Sequence, residues 1–244
     1  MSRAQKWRNY LLGSPSTIHL LRESKVITHK ENKHEEVIRS DLKRTYPLND
    51  FFTNHIGELS NVLNTYAHVN EGMGYAQGMA FIAFNLYKIY YEDDALYAVE
   101  DTFYSLHKLI HVIRPVYPLH DKDTNALVFN NHIVSCVILL VSKHDTDLAK
   151  TVKKMDIIKI FTVQMLPSLF GNKFCPEDSA ILLDFIIDSS SFEMFHKTLC
   201  LLSAMIISIQ PVIMNMSYES VMGLMQHKGC YNARRVISIA YSIK

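Results

Sequence analysis

The sequence predicts an all-α fold without a central sheet, and three observations carry that prediction. Apolar residues recur three and four apart along most of the chain. Alternation flanked by hairpin dipeptides, the mark of paired strands, does not occur. Only 8 glycines and 7 prolines punctuate 244 residues, so successive helices must be joined by mostly short connections.

The bulk composition bounds what such a fold can do. A hydrophobic share of 48% with 20% charged residues is globular, and the length allows one large domain or two lobes. With 25 basic against 24 acidic residues, no electrostatic excess favours nucleic acid or an anionic membrane. Cys136, Cys175, Cys200 and Cys230 lack CxxC spacing and are expected to be thiols in a reducing compartment. The polar start "MSRAQKWRNYLLGS" has no apolar core of a signal peptide. The run Thr198–Met214 is interrupted by Gln210 and Pro211 before it reaches the ~20 apolar residues a bilayer needs, so it is expected to be a buried helix.

Along the chain, Gly13–Glu36 is the longest loop-like region. Ile38, Asp41 and Arg44 are spaced three apart, which a helix brings to one face before Pro47 prevents its continuation. Phe51–Val69 is predicted as a helix after the cap candidates Asn49 and Asp50, and Tyr75–Tyr90 as another. A third begins at Asp93 or Asp94 and ends at Pro115. Arg114–Asn125, rich in prolines and charges, marks a boundary between an N-terminal lobe (about 1–120) and a C-terminal lobe (about 121–244). Further helices are expected over 125–143, 148–155, 157–170, 177–188, 192–209 and 218–243, the last broken near Gly229. Pro176, Glu177 and Asp178 give the fourth of these a good start signal.

The glycines of "MGYAQGM" invite a nucleotide reading, which the spacing rejects. A dinucleotide fingerprint needs GxGxxG after a strand, whereas Gly72, Gly74 and Gly78 are one residue too long and come after a helix. No GK[ST] of a Walker loop occurs. The geometry expected is a corner between helices, with Gly72 and Gly74 at positive φ and Gln77 on the next helix's first turn. Alone, Ile38, Asp41 and Arg44 would be a surface i,i+3 ion pair on an anchored helix, worth at most about 1 kcal/mol.

In this order the two stretches resemble the TBC-domain GTPase-activating proteins of Rab GTPases. That family carries IxxDxxR and, some thirty-odd residues on, YxQ within NxxxGYxQGM. Here these are Ile38, Asp41 and Arg44, then Asn70, Gly74, Tyr75, Gln77, Gly78 and Met79. "AQKWRNYLLG", with Trp7 and Leu11 on its buried side, looks like the family's entry segment, and "RTYP" after the arginine is similar to the family too. Weaker likeness through "LVSKHDTDLAKTVKKMDI" and "PEDSAILLDFI" extends it over nearly the whole chain. The departures are Met165 after Gln164 where the family often has tryptophan, Leu182–Leu183–Asp184 for its IWD triplet, and Ala76 for its usual cysteine.

The resemblance implies a two-lobed TBC-type domain that accelerates GTP hydrolysis in a Rab-type small GTPase in its GTP-bound state. It assigns Arg44 as an arginine finger and Gln77 as a glutamine finger that orients the attacking water. Asp41 would hold the guanidinium, while Ile38, Asn70, Gly74, Tyr75 and Gly78 would position the fingers. The protein would be an activator rather than an enzyme, with no cofactor or metal of its own, because GTP and Mg²⁺ arrive with the partner. No nucleic acid or membrane span is implied. The setting would be cytoplasmic vesicle trafficking, peripheral at endomembranes through the Rab. The alternative is a Rab-binding scaffold of the same fold without acceleration. His107 and His111, four apart, lack the HExxH glutamate and a third ligand, and are expected to be a surface pair.

Overall fold

The computed structural model describes residues 1–24, 32–117, 124–227 and 229–244. Among the described residues there are fifteen α-helices, three short 3₁₀ turns and no strand. The chain divides into two compact units, Met1–His120 with Ile187–Ser190, and Asp121–Ile186 with Ser191–Lys244.

The first unit is built on α1 (Arg3–Leu11), α2 (Pro15–Glu23), α3 (Glu35–Arg44), α4 (Asp50–Asn54), α5 (Ile56–Val69), α6 (Met79–Asp93) and α7 (Ala98–Ile113). Its centre is α6, whose residues are buried almost all round, as expected of a helix with apolar side chains on every face. α5 and α7 flank it, and α1 and α3 also pack against it. Trp7 of α1, fully buried, meets Tyr90 of α6 edge-on at 6.4 Å.

A buried carboxylate ties α1 and α2 to α7. Asp101 accepts Arg8 Nε at 2.6 Å, and Arg22 grips it through Nε at 2.9 Å and Nη2 at 2.6 Å. Arg8 also donates to Asp93 at 2.5 Å. Such a pair resists loss of one partner far more than it adds to net stability, because an orphaned charge would remain inside.

The second unit comprises α8 (Thr124–His144), α9 (Thr146–Lys154), α10 (Ile157–Met165), α11 (Pro176–Ile187), α12 (Ser191–Ser208), α13 (Gln210–Asn215), α14 (Tyr218–Gln226) and α15 (Ala233–Ile243). α12 runs through its core against α8, α10 and α15. It contains most of the apolar run expected to be a buried helix, and no helix among the described residues is long and apolar enough to cross a membrane. Met165, Leu182 and Leu183, the departures from the family pattern in this unit, are all buried. They fill core positions with aliphatic side chains, two of them smaller than the tryptophans of the family pattern.

Several predicted boundaries need correction. The loop-like Gly13–Glu36 contains α2, capped by Ser14 with Pro15 at its first position, while its remainder at 25–31 lies outside the described residues. The helix predicted over Phe51–Val69 is two helices, because His55 leaves helical geometry at ψ 19. The helix predicted from Tyr75 starts at Met79 and runs on to Asp93. The third begins as a 3₁₀ turn at Ala95, and α7 proper starts at Ala98. The predicted 157–170 helix ends at Met165 and continues only as a 3₁₀ turn through Ser168. Between the helices predicted over 192–209 and 218–243 lies a further short one, α13, with Pro211 at its start.

Candidate functional site

α3 positions the first half of the site. Glu35 and Glu36 open it and Lys43 and Arg44 close it, each pair complementing the end of the helix dipole where it sits. Ile38 and Leu42 are buried and fix the helix in the core, which leaves Asp41 1% exposed and Arg44 half exposed at the last helical position. Thr45 then leaves helical geometry, and its N–H and hydroxyl both donate to the carbonyl of Asp41, at 3.1 and 2.9 Å. That capping stops α3 at Arg44 and turns the chain away beneath it.

α5 and α6 position the second half. Asn70 caps α5, donating from its side chain to the carbonyl of Tyr66 at 2.9 Å. Its own carbonyl accepts the N–H groups of Met73 at 2.9 Å and Gly74 at 2.6 Å, closing a tight turn. Gly74 has φ 62, and a Cβ there would lie 2.0 Å from Nε2 of His34. Only glycine serves, for conformational and for steric reasons together. Gly78 comes next at φ 105 as the N-cap residue of α6. The positive φ values are therefore at Gly74 and Gly78, not at the expected Gly72.

The two halves meet at the Asp41 carboxylate. Its Oδ1 accepts Arg44 Nε at 2.8 Å, and its Oδ2 accepts the N–H of Gly78 at 2.8 Å and the Tyr75 hydroxyl in a short hydrogen bond. Burial and the adjacent carboxylate push the Tyr75 hydroxyl well above the usual tyrosine range, so it stays protonated and donates. All three donors suit an ionised acceptor, and charge-assisted bonds of this kind are about twice as strong as neutral ones.

This leaves two side chains outward. Arg44 uses only Nε, so both terminal nitrogens are without a hydrogen-bond partner among the described residues. Gln77, next to Gly78, is exposed in a turn and makes no side-chain hydrogen bond among the described residues. It precedes α6 instead of riding on its first turn, as the sequence had suggested. The predicted set thus comes together: Ile38, Asp41, Tyr75 and Gly74 are buried, Asn70 and Gly78 shape the turn, and Arg44 and Gln77 face solvent.

Sequence reasoning missed two residues that touch this arrangement. His34 packs against Gly74, although forty residues separate them. His107 and His111 of α7 are both exposed, as expected of a surface pair, and His107 in addition places Nδ1 3.4 Å from the Asn70 amide nitrogen and its ring 6.0 Å from that of Tyr66. Partial desolvation and the neighbouring His111 lower its pKa. Among the described residues no three His, Cys, Asp or Glu side chains are grouped as metal ligands would be.

A helical domain carrying these two motifs, joined through one carboxylate, is of the TBC class. The chain belongs to the Rab-GTPase-TBC domain family, whose family model matches residues 4–209. It is 38% identical over 100 residues to growth hormone-regulated TBC protein 1-A of Danio rerio, a match covering 39% of this chain and 26% of that protein. It is 40% identical over 88 residues to growth hormone-regulated TBC protein 1 of Homo sapiens, covering 34% of this chain and 24% of that protein. The match to Rab GTPase-activating protein eat-17 of Caenorhabditis elegans is 37% identical, covering 31% of this chain and 9% of that protein. The matched part thus spans about a quarter of the length of the first two relatives. In fold, the chain is similar to the crystal structure of the Ypt/Rab-GAP domain of Gyp1p, with a TM-score of 0.79 at 16% identity over 99% of this chain and 86% of that one.

Proposed function

We propose that this chain activates GTP hydrolysis by a Rab-type small GTPase in its GTP-bound state, supplying Arg44 and Gln77 in trans. The observation that carries this reading is the Asp41 carboxylate, which anchors the arginine through Nε and the glutamine turn through the Gly78 N–H, and leaves the terminal guanidinium nitrogens of Arg44 and the amide of Gln77 facing outward. Family membership and the likeness to eat-17, named as a Rab GTPase-activating protein, support it.

Hydrolysis in a small GTPase is slow because charge develops on the phosphates and the water is poorly held. An arginine supplied in trans gives roughly 10³–10⁵-fold acceleration, or about 4–7 kcal/mol of barrier. Arg44 suits this role, since Asp41 holds Nε and the outer edge of the guanidinium remains to donate to phosphate oxygens. Gln77 would accept from the attacking water and donate elsewhere, a task for an uncharged amide. GTP and Mg²⁺ would arrive with the partner, and the chain would need no cofactor of its own. Acting on a Rab would place it in the cytoplasm, at endomembranes only through its partner.

Phosphate release from a panel of GTP-loaded Rabs tests this. At least one should be accelerated by the wild-type protein, and Arg44→Ala should remove at least about a hundredfold of that acceleration. Binding without acceleration across the panel would instead make the chain a scaffold.

A further inference from the structure

Leu48 is 98% exposed, the most exposed large apolar side chain among the described residues. Single exposed leucines are common and carry no meaning by themselves. What sets this one apart is its mount. It lies four residues beyond Arg44, so the two Cα atoms are at most roughly 14 Å apart.

The segment between them is held rigidly. Tyr46 has φ 42, a conformation that costs a bulky L-residue energy and needs surrounding structure to enforce it. That enforcement is visible: the buried Tyr46 ring packs at 5.1 Å edge-on to Phe81 and at 5.0 Å against Phe84, both on α6. The carbonyl of Tyr46 accepts the N–H of Asn49 at 2.9 Å, closing a turn with Pro47 and Leu48 at its tip. Proline at the first central position presets that turn. On the far side, Asn49 Oδ1 accepts the N–H of Phe52 at 2.9 Å and so caps α4. Both feet of the turn are pinned, and its tip offers an apolar side chain that contributes nothing to the core.

We infer that the turn Tyr46–Asn49 is a preformed docking element, with Leu48 as the apolar anchor that enters a recess on the GTPase beside the site Arg44 reaches. The inference rests on the proposed role of Arg44. The occupant is fixed by continuity: a surface that receives the guanidinium of Arg44 must also lie within reach of Leu48 on the same short, rigid segment. Ordering little on binding, such an anchor adds affinity at low entropic cost. Its contribution is uniform binding, made equally before and during the chemical step, so it should appear in KM and not in kcat.

The test compares Leu48→Ser, Leu48→Met and Arg44→Ala with the wild type on a responsive GTP-loaded Rab, and titrates each against that Rab carrying a non-hydrolysable GTP analogue. Leu48→Ser should raise KM and Kd about five- to tenfold with kcat within twofold. Leu48→Met should restore wild-type behaviour, and thermal stability should not change. If Leu48→Ser binds and activates like the wild type while Arg44→Ala is inactive, the anchor is wrong and the finger stands. If Arg44→Ala is as active as wild type, the role of Arg44 fails, and the inference with it. Should no Rab be accelerated, the proposed role of Arg44 fails, and the inference with it.

Discussion

Gly78 donates its backbone N–H to Oδ2 of Asp41 at 2.8 Å, across thirty-seven residues of chain. One buried side chain thereby sets the position of the turn that presents Gln77 and, through Oδ1, the guanidinium of Arg44. The three donors on this carboxylate make its loss a structural event as well as a functional one. Asp41→Ala would strand the buried Tyr75 hydroxyl and the Gly78 N–H, at about 1–3 kcal/mol each. Asp41→Ala should therefore lower the unfolding free energy by about 2–6 kcal/mol in urea titration. Tyr75→Phe removes one donor only and should cost about 1 kcal/mol.

Gly74 and His34 should couple. Gly74→Ala brings a Cβ to 2.0 Å from His34 Nε2 at a backbone φ of 62. Both strain and overlap should destabilise the protein, and thermal melting should show it. Adding His34→Ala removes the overlap but not the strain. The double variant should recover part of the loss, leaving about 1 kcal/mol for the backbone conformation. Strict additivity of the two single changes would show that the ring does not meet the glycine.

The same contact shows what was legible in the sequence and what was not. α3 could be read because its apolar anchors, its charges and Pro47 all act within a dozen residues. The resemblance implied only that Asp41 holds the guanidinium; its bonds to Tyr75 and to the Gly78 N–H were not legible, since no local signal says that a carboxylate at 41 bonds a backbone N–H at 78. The periodic pattern Tyr75, Met79, Ile82 fits a helix, yet Gly78 leaves helical geometry and Tyr75 turns to Asp41, so the helix starts later. α2 was hidden for another reason: with Ile18 its only buried residue, it lacks a stripe, and its Ser14–Pro15 start signal stood alone. His34 and His107 reach the turn from distant segments, which single-sequence periodicity does not encode.

His107 should make the turn that begins at Asn70 sensitive to pH. Partial desolvation on the protein surface and the neighbouring His111 lower its folded pKa, so the folded state binds fewer protons than the unfolded chain as pH falls. The stability associated with neutral His107 is present above the ordinary histidine value of about 6.5 and is lost as pH drops through the lower folded value. Protonation also turns Nδ1 from an acceptor for the Asn70 amide into a donor facing it. Stability measured between pH 7.5 and 5 should fall more steeply for the wild type than for His107→Gln. Parallel pH profiles for the two proteins would show that His107 does not govern this turn.

The most direct test of the account asks whether Gln77 acts on the water in place of the GTPase's own glutamine. Gln77 is exposed and makes no side-chain hydrogen bond among the described residues, so Gln77→Ala should leave stability within about 0.5 kcal/mol. The measurement is single-turnover phosphate release from a responsive Rab whose switch glutamine is changed to leucine, with wild-type protein and with Gln77→Ala. Strong acceleration by the wild type is expected, with loss of most of it for Gln77→Ala. Acceleration of that Rab by Gln77→Ala equal to the wild type's, or none by either protein when the unaltered Rab responds to the wild type, would contradict it.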